Sequence, residues 1–276
     1  MSRALKEMRA EAAAIIEQAK ADHDPVRTFV MFSGGNDSLV LLDAVAAHAD
    51  EVVHINTGIG VPETTDFARR VGSSYGLPFS EWSPPVAYEE LVLTLPVLDG
   101  LPGPGVHHIV YSRLKERCVE ALLRSHRTRR GQRFMLLTGI RQAESRKRMG
   151  YRDPVNRRKG QVWVNPLLFW ANEEMANYRR RRKLPVNEVA ANLHMSGECL
   201  CGAMADQGPE REERALIRFF YPAVDARLTA LEETCRAAGK TYCEWGVKRS
   251  RQRPPPAEAE PLCVSCEFRN SEEEAP

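Results

Sequence analysis

A short polar segment near the start of the chain has the composition of an anion-binding turn. The segment SGGNDS places Ser33, Gly34, Gly35, Asp37 and Ser38 directly after the apolar run TFVMF. Glycines permit a tight turn, and the free N–H groups at the start of a helix favour an anion. Asp37 suits this place if it caps the helix or helps to hold Mg²⁺. These residues predict a phosphate-binding loop, with an ordinary glycine-containing strand–helix turn as the alternative.

Cysteines form a second group of residues with chemical potential. The chain has 7 cysteines and no secretion signal, so metal or sulfur chemistry is favoured over a disulfide framework. Cys199 and Cys201 form a C-x-C pair, and Cys263 and Cys266 form a C-x-x-C pair. One small helical subdomain could bring the two pairs together, and four thiolates suit either zinc or an iron–sulfur cluster. Spacing alone leaves both open, together with unligated thiols.

Apolar runs suited to buried strands alternate with helical patterns along the part of the chain that carries the phosphate loop. The runs are Thr28–Phe32, Glu51–Gly58, Arg133–Ile140 and Gln161–Leu168, and helical patterns cover Asp37–His48 and Pro62–Gly76. This alternation predicts an α/β fold with a doubly wound, mainly parallel sheet, in which ligands bind beyond the carboxyl ends of the strands. The Pro- and Gly-rich residues 84–107 predict a long loop or lid over that edge.

The organisation of the whole chain follows from these patterns. We expect an N-terminal helix over residues 1–24, a nucleotide-binding α/β domain over residues 25–170, and a helical subdomain over residues 171–276 with the four paired cysteines and an acidic tail. The chain has no run of ~18 apolar residues and no signal-peptide pattern, so we expect no membrane contact and a cytoplasmic location.

The charge is unevenly distributed, although the net charge is only +2. Arginine and lysine greatly outnumber acidic residues between Arg113 and Lys159, and residues 179–183 read RRRRK. A basic block on a nearly neutral chain predicts a polyanionic partner, either a nucleotide or a nucleic acid. For RRRRK taken alone, a solvated helix face is an equally good interpretation.

Three segments together resemble a known family. SGGNDS, with Asn36 at the variable position, resembles the PP-loop of the adenine nucleotide alpha-hydrolase superfamily. INTG at Ile55–Gly58 resembles the second-strand turn that faces adenosine, commonly D-T-G, with Asn56 in place of the aspartate. TGIRQAESRKR at Thr138–Arg148 resembles the G-x-R-x-x-E-S-x-x-R motif of the phosphoadenylyl-sulfate (PAPS) reductase branch. Those enzymes cleave ATP between its α and β phosphates or bind adenylylated sulfate. The resemblance covers about residues 25 to 200.

The resemblance implies a set of site residues. Arg141 and Arg148 supply planar forks for phosphate or sulfate oxygens, and Glu144 orients one of them or helps to hold a metal. We therefore expect a catalytic set of Asp37, Arg141, Glu144 and Arg148. The expected nucleotide-binding residues are Ser33, Gly34, Gly35, Asn36, Asp37, Ser38, Thr57, Gly58, Gly139, Arg141 and Ser145.

The resemblance also bears on the cysteines. Assimilatory adenylyl-sulfate reductases and several PP-loop sulfurtransferases carry a [4Fe-4S] cluster. It implies such a cluster here, with Zn²⁺ as the alternative, on the ligands Cys199, Cys201, Cys263 and Cys266. The reductases have adjacent cysteines in the first pair, whereas Leu200 intervenes here.

RCVEALLR at Arg117–Arg124 resembles the family's W-C-T-x-x-L-K segment, and we expect Cys118 to be a packed core thiol. Cys235 and Cys243 receive no firm role, and a buried structural thiol is the favoured interpretation.

The implied function is ATP-dependent sulfur transfer. Adenylyl-sulfate and PAPS reductases use a cysteine in a C-terminal E-C-G-x-H tail, whereas no cysteine follows Cys266 in this sequence. We therefore expect an ATP pyrophosphatase that adenylylates an acceptor, similar to tRNA thiolation enzymes and to the ATP pyrophosphatase of bacterial DNA phosphorothioation. The expected partners are DNA or tRNA and a cysteine desulfurase or other sulfur donor, and an oligomer is compatible with the sequence. The alternatives are a reductase that makes sulfite and a non-catalytic nucleotide-binding subunit of a sulfur-modification complex.

Overall fold

A six-stranded sheet forms the centre of the computed structural model, which describes residues 3–144, 153–205 and 212–249. The strand order is β3-β2-β1-β4-β6-β5. All neighbouring strands are parallel except β5 and β6, which pair as an antiparallel hairpin. The strands are β1 Arg27–Met31, β2 Glu51–Ile55, β3 Phe79–Trp82, β4 Phe134–Leu137, β5 Val155–Arg158 and β6 Gln161–Val164.

Ten α-helices accompany these strands in the described part of the chain. They are α1 Leu5–His23, α2 Asn36–Val45, α3 Pro62–Gly72, α4 Tyr88–Thr94, α5 His107–Tyr111, α6 Arg117–His126, α7 Asn172–Arg182, α8 Glu188–Leu193, α9 Glu212–Phe220 and α10 Pro222–Ala237. A π-helical turn, Ser112–Glu116, joins α5 to α6. None of these helices combines the length and the apolar character that a membrane crossing requires.

Both faces of the sheet are covered, which confirms the doubly wound α/β fold. One core lies between the sheet and the helices α1, α2, α3 and α7. A second core lies on the opposite face, where the buried side chains of α6 pack on Phe29, Phe134 and Trp163. β2 and β4 are buried along their whole length. β4, FMLL, accordingly reads as a continuous apolar run without alternation, whereas β2, EVVHI, also buries Glu51 and His54.

A third core joins the middle of the chain to its C-terminal helices. Tyr88, Leu91 and Val92 of α4 pack with buried residues of α8, α9 and α10. The prediction of a long loop or lid over residues 84–107 is therefore wrong in part, because this stretch contains α4. The Pro-rich flanks of α4 made it look like a loop, and its apolar face packs on helices that lie far away in sequence. The division of the chain into three segments stays a prediction.

Glycines in the remainder of that stretch allow two backbone segments to touch. A Cβ on Gly100 would lie 2.0 Å from the carbonyl oxygen of Tyr242, and one on Gly103 would lie 1.7 Å from that of Val247. The Leu101 N–H donates to Tyr242 over 2.7 Å, and the Arg249 N–H donates to Pro104 over 3.0 Å. This stretch therefore forms a packed strap for the C-terminal segment.

The strand order fixes where a ligand can bind. The chain crosses over between β1 and β4, which are neighbours in the sheet but far apart in sequence. Helix α2, which follows β1, covers one face of the sheet, and helix α6, which leads into β4, covers the other face. A crevice is therefore expected at the carboxyl ends of β1 and β4. The SGGNDS segment follows β1, and the GIRQAE segment follows β4.

A buried carboxylate holds the phosphate-loop helix to its neighbours. Asp43 in the last part of α2 accepts a 2.7 Å hydrogen bond from the Tyr178 hydroxyl and bonds of 2.9 and 3.1 Å from Arg182. Burial alone would raise the pKa of the Asp43 carboxyl, but the hydrogen bonds from Arg182 and Tyr178 outweigh burial and lower it. The ionised form is thus stabilised by folding.

We predict that Asp43→Asn lowers the free energy of unfolding by about 2 kcal/mol near pH 7, since Arg182 remains solvated in part and tolerates the loss. A lowered folded-state pKa gives stability that is present above the unfolded-state value, about 4, and is lost as the pH falls through the folded-state value. The gap between the two proteins should therefore persist at about pH 5 and narrow below about pH 4. Urea unfolding at several pH values measures it.

Asp66→Asn is the matched control, because Asp66 is an exposed aspartate paired with Arg69. It should leave unfolding unchanged at each pH. An equal loss in both variants, or a gap that widens in acid, would contradict the proposed role of Asp43.

Candidate functional site

The segment after β1 forms a closed loop that opens into α2. Gly34 has a φ of +80°, and a Cβ at this position would lie 3.0 Å from Thr64 Cγ2. The hydroxyls of Ser33 and Ser38 lie 3.0 Å apart, and Ser38 Oγ donates to the carbonyl of Gly35 over 3.0 Å. The loop therefore has the shape expected of a phosphate loop, and it delivers Asn36 and Asp37 into the first turn of α2.

A buried asparagine that is not among the predicted site residues holds this loop from outside. Asn187 Nδ2 donates to the carbonyl oxygen of Gly34 over 2.9 Å, while its Oδ1 accepts from the Val189 N–H over 3.1 Å and caps α8. Asn187 is 3% exposed. Its only signal in the sequence is the LPVN segment before α8, which predicts a cap and reveals nothing of the Gly34 contact.

The turn after β4 packs directly against the phosphate loop. A Cβ on Gly139 would lie 3.1 Å from the backbone of Asp37 and 3.2 Å from the nitrogen of Ser38. The glycine at this position is therefore needed for the two turns to touch. The structure brings Gly139 together with the phosphate loop, and nucleotide contact by Gly139 stays a prediction.

Arg141 in this turn is buried and faces the protein. Its Nη2 and Nε donate to Asp37 Oδ2 over 2.8 and 3.1 Å. Its Nη1 donates to the Trp170 carbonyl over 3.1 Å and to Asn172 Oδ1 over 3.0 Å. In this arrangement Arg141 positions the Asp37 carboxylate. A direct contact of Arg141 with phosphate or sulfate oxygens stays a prediction.

Glu144 lies in a 3-10 turn directly after Arg141 and accepts the Arg141 N–H over 2.9 Å. Glu144 and Asp37 line the same cavity. Two further predicted residues of this motif, Ser145 and Arg148, lie outside the described residues.

The turn after β2 connects the nucleotide crevice to the cysteine-bearing loop. Thr57 is fully buried, and its hydroxyl donates to the carbonyl of Glu198 over 2.7 Å. Thr64 donates in the same way to the carbonyl of Ser196 over 2.7 Å. Gly58 has a φ of +76° and donates its N–H to Asn56 Oδ1 over 3.0 Å. In the structure Thr57 therefore holds the loop at residues 196–201, and adenosine contact by Thr57 and Gly58 stays a prediction.

A cavity of about 350 Å³ opens at the crevice. Its walls come from the phosphate loop, the turn after β4, α5 with the π turn, and the loop at residues 196–201. A second cavity of about 240 Å³ lies behind it and reaches Cys199 and Cys201. The two cavities share His107, Tyr111, Lys115, Ser196, Glu198 and Met204. These two adjoining cavities, which we call the passage, thus extend from the phosphate loop to the first cysteine pair.

Lys115 and Glu198 stand at the junction of the two cavities. Lys115 Nζ donates to Glu198 Oε2 over 2.9 Å. Burial alone would lower the pKa of Lys115, but the Glu198 carboxylate outweighs burial and raises it, so the lysine stays a cation. The sequence analysis missed both residues, because the π turn that aims Lys115 and the loop that carries Glu198 meet only in the folded chain. Glu198 Oε1 and His107 Nδ1 are buried and have no hydrogen-bond partner among the described residues, as expected of a wall built for a polar ligand.

Cys199 and Cys201 are adjacent thiols that interact with each other. A hydrogen bond from Cys201 lowers the pKa of Cys199, against the effect of burial, and the Lys115 cation lowers it further. The same hydrogen bond raises the pKa of Cys201. This half of the predicted ligand set is assembled beside a cation, as thiolate ligands require. The part of the chain that the structure describes holds no metal-binding group of three or more ligands, and Cys263 and Cys266 lie outside it.

The C-terminal segment runs past this cysteine loop. Trp245 Nε1 donates to the carbonyl of Leu200 over 2.7 Å, and the Arg249 guanidinium donates to the carbonyls of Leu98 and Leu101. The described chain therefore ends beside the first cysteine pair. Thirteen residues, 250–262, lie between Arg249 and Cys263. Their reach of about 45 Å is ample for the second pair to approach the first.

The remaining three cysteines lie apart from the passage. Cys118 is 1% exposed and packs in the core under α6, which confirms the expected packed thiol. Cys235 is fully buried in the third core, and Cys243 is half-buried against it. Burial raises the pKa of both Cys118 and Cys235, so these thiols are held in their neutral form.

Several solved structures are similar to this chain. The PAPS reductase of Candida auris in its phosphate complex is 20% identical, with 60% of this chain and 77% of that chain covered and a TM-score of 0.45. Candida glabrata FMN adenylyltransferase with FMN and an ATP analogue is 13% identical, with 68% and 61% covered and a TM-score of 0.49. The U34-tRNA thiolase NcsA of Methanococcus maripaludis with its [4Fe-4S] cluster is 13% identical, with 84% and 78% covered and a TM-score of 0.46.

Sequence comparison is decisive at the level of the family. None of the curated proteins matches the chain at a significant level. The family model described as the phosphoadenosine phosphosulfate reductase domain matches residues 27–196, which is more than half of the chain and includes the phosphate loop and the turns after β2 and β4. The chain therefore belongs to the phosphoadenosine phosphosulfate reductase domain family.

Proposed function

We propose that this protein is an ATP pyrophosphatase that adenylylates an acceptor, in preparation for sulfur transfer to that acceptor. A nucleic acid, either DNA or tRNA, is the acceptor that the basic charge of the chain favours. A cysteine desulfurase or another protein that carries activated sulfur is the corresponding donor. The proposal rests on the crevice, on the passage behind it and on the chemistry of the residues that line them.

One observation carries the choice of ATP. Asp37 and Glu144 line the same cavity as the phosphate loop. Two carboxylates would repel a bound phosphate chain unless a divalent cation stood between them. Mg²⁺ is usually held in this way, by one or two carboxylates together with substrate phosphates. Asp37 and Glu144 thus fit Mg²⁺, which when bound supplies positive charge against the phosphate oxygens.

The first half of the proposed reaction forms an adenylyl ester. An acceptor oxygen attacks the α phosphorus of ATP, the bond from that phosphorus to the bridging oxygen breaks, and pyrophosphate leaves with the electron pair. The N–H groups at the start of α2 face the phosphates and offset the developing charge. Arg141 keeps the Asp37 carboxylate in place during this step through its bonds of 2.8 and 3.1 Å.

The second half replaces AMP by sulfur. Hydrosulfide attacks the acceptor atom that bears the ester, the bond to the AMP oxygen breaks, and AMP leaves. A persulfide donor can act in the same way if a second thiol then reduces the new sulfur–sulfur bond. The passage past Lys115 connects the adenylyl site to Cys199 and Cys201, which gives sulfur a route to the ester.

The cysteines fit an iron–sulfur cluster in part. Cys199 and Cys201 are in place, and we infer that Cys263 and Cys266 complete the set, with Zn²⁺ as the alternative metal. With its four irons held by these four cysteines, a [4Fe-4S] cluster would supply one-electron redox chemistry beside the passage. The protein's own contribution there is the Lys115 cation, which offsets thiolate charge.

Reduction of adenylyl sulfate or PAPS to sulfite is the second candidate function, because the family's description names that reaction. It uses the same crevice but needs no pyrophosphate release. The two functions therefore give different products, and one set of assays separates them.

We predict that Asp37→Asn lowers kcat/KM for pyrophosphate release from ATP by on the order of 100-fold, since the variant loses a carboxylate that holds the cation and its charge. Pyrophosphate would be assayed with Mg²⁺, duplex DNA or tRNA, and a sulfide source. Binding of ATP without Mg²⁺ should change little, whereas the extra affinity that Mg²⁺ gives the unmodified protein should disappear.

The exposed Asp66→Asn variant serves again as the control and should retain activity. Sulfite formed from adenylyl sulfate, with no pyrophosphate formed from ATP under any of these conditions, would overturn the proposal in favour of the reductase. Nucleotide binding without any turnover would instead support a non-catalytic subunit.

A second prediction concerns the Lys115–Glu198 pair. Lys115→Met leaves a buried carboxylate without its cation, and we expect a loss of about 2 kcal/mol in the free energy of unfolding, because the lysine side chain is partly solvated. The double variant Lys115→Met/Glu198→Gln removes both charges and should regain most of that stability. Sulfur incorporation should stay low in both variants.

This comparison separates a structural role from a functional one. Urea unfolding measures the stability of each variant, and incorporation of labelled sulfur into the acceptor measures transfer. Recovery of transfer together with stability in the double variant would show that the pair only supports the fold.

A further inference from the structure

The fold divides the basic block of the sequence between two edges of the sheet. Arg141 lies in the crevice at the carboxyl ends of the strands, whereas the loop at residues 127–133 precedes β4 and lies at the opposite, amino edge. The Val26 N–H, just before β1, donates to the Arg133 carbonyl over 2.9 Å, which confirms this placement. Most of the block therefore cannot contact a nucleotide in the crevice.

The basic side chains at the amino edge form a compact group. Residues 124–133 contain five arginines and no acidic residue. Arg124, Arg127, Arg129 and Arg130 are exposed, and none of them forms an ion pair with a carboxylate of the described residues. The β5–β6 hairpin adds the exposed Lys159 beside them, since the Phe134 N–H donates to the Gly160 carbonyl over 3.0 Å.

The loop that carries two of these arginines is held in one shape. Gln132 Oε1 accepts the N–H groups of Thr128 and Arg129 over 2.8 and 3.1 Å. Gln132 Nε2 also donates to Thr128 Oγ1 over 3.0 Å. The intervening Arg129 and Arg130 are therefore presented on a closed loop, which lowers the entropy lost on binding.

Helix α6 connects this loop to the crevice. Its buried residues pack on the sheet, and its opposite face carries the half-buried Arg117 and the exposed Glu120 and Arg124 at helical spacing. The π turn before it places Lys115 in the passage. From Arg113 to His126 the helical segment spans ~20 Å, about six nucleotide steps along one strand of a duplex.

We propose that this ridge, formed by the exposed face of α6, the loop at residues 127–133 and Lys159, binds the phosphate backbone of a nucleic acid and leads it to the crevice. The inference rests on the proposed nucleic-acid acceptor. Acidic groups near the ridge are few: Glu120 is exposed on it, and Glu116 is paired with Arg158. Contacts with backbone phosphates carry no information about the bases, so the ridge is expected to bind nucleic acids of any base sequence.

The other basic run of the chain is a worse candidate. In α7, Arg182 is committed to Asp43, and Arg180 donates to Asn177. The helix starts beside Arg141 and carries its arginines to its far end, with no basic residue between them and the crevice. RRRRK is therefore suited to serve as the control surface.

The test uses the full chain with a fluorescein-labelled DNA duplex of about 24 base pairs and, separately, a labelled tRNA, followed by fluorescence anisotropy over a range of salt concentrations. The triple variant Arg124→Gln/Arg129→Gln/Arg130→Gln should weaken binding about tenfold or more. The slope of log K against log salt should become shallower by up to about 3 on duplex DNA, since each lost phosphate contact removes about 0.9. The arm with the tighter binding identifies which nucleic acid the ridge takes.

The control variant Arg180→Gln/Arg181→Gln/Lys183→Gln removes the same charge from α7 and should keep both the affinity and the slope. Equal weakening in the two variants would overturn the proposal, because only net charge would then matter. Binding of poly-glutamate but of neither nucleic acid would also overturn it, in favour of an acidic protein partner.

A failure of the ridge can be told apart from a failure of the proposed reaction. With water as the acceptor in the absence of nucleic acid, the ridge variant should release pyrophosphate from ATP at the rate of the unmodified protein. Asp37→Asn should bind nucleic acid normally while losing pyrophosphate release. Pyrophosphate release by a protein that binds neither nucleic acid would refute the ridge and leave the ATP reaction standing.

Discussion

The arrangement of the crevice depends on buried hydrogen bonds that fix one loop, residues 196–201, against the turns at the carboxyl edge of the sheet. Thr57 and Thr64 each donate a hydroxyl hydrogen bond of 2.7 Å to a carbonyl of this loop. The Val61 N–H donates to the Gly197 carbonyl over 2.7 Å, and the Leu200 N–H donates to the Ile59 carbonyl over 3.0 Å. Buried polar groups of this kind are costly when unpaired. The first cysteine pair is therefore held at a fixed distance from the phosphate loop.

The charges of the crevice follow from that constraint. Arg141 is buried, and its guanidinium donates to Asp37, to the Trp170 carbonyl and to Asn172, so the Asp37 carboxylate is fixed at the mouth of the phosphate loop. A fixed carboxylate in that place is unfavourable for a bare phosphate chain and favourable for one that arrives with a divalent cation. At the other end of the passage, Lys115 compensates the negative charge of Glu198 and of the neighbouring thiols. The Asp37 end of the passage thus favours a phosphate chain with its cation, whereas the Lys115 end favours thiolates.

Local sequence patterns predicted the parts of the molecule that depend on local geometry. SGGNDS and the glycine of the GIRQAE turn must adopt tight backbone shapes, and both lie where the pattern places them. Asn187, Lys115 and Glu198 escaped prediction because each acts through a contact more than eighty residues away in sequence, and each residue type is common at such positions in other settings. Helix α4 was not predicted for a related reason: its short apolar face is buried by contacts with α10, which lies far away in sequence.

The basic block shows why charge read along a sequence differs from charge placed on a fold. Arg130 and Arg141 are only eleven residues apart, yet β4 carries the chain across the sheet between them. Arg141, after β4, therefore supports the crevice, whereas the arginines of the loop before β4 lie at the opposite edge of the sheet. Helix α6 runs between the same two edges on one face of the sheet. Its arginines, Arg117 and Arg124, therefore lie between the amino-edge loop and the crevice. A polyanion that contacts the amino-edge loop can therefore continue along α6 to Lys115 without crossing the apolar core. This continuity gives the distant arginines a physical connection to the chemistry of the crevice.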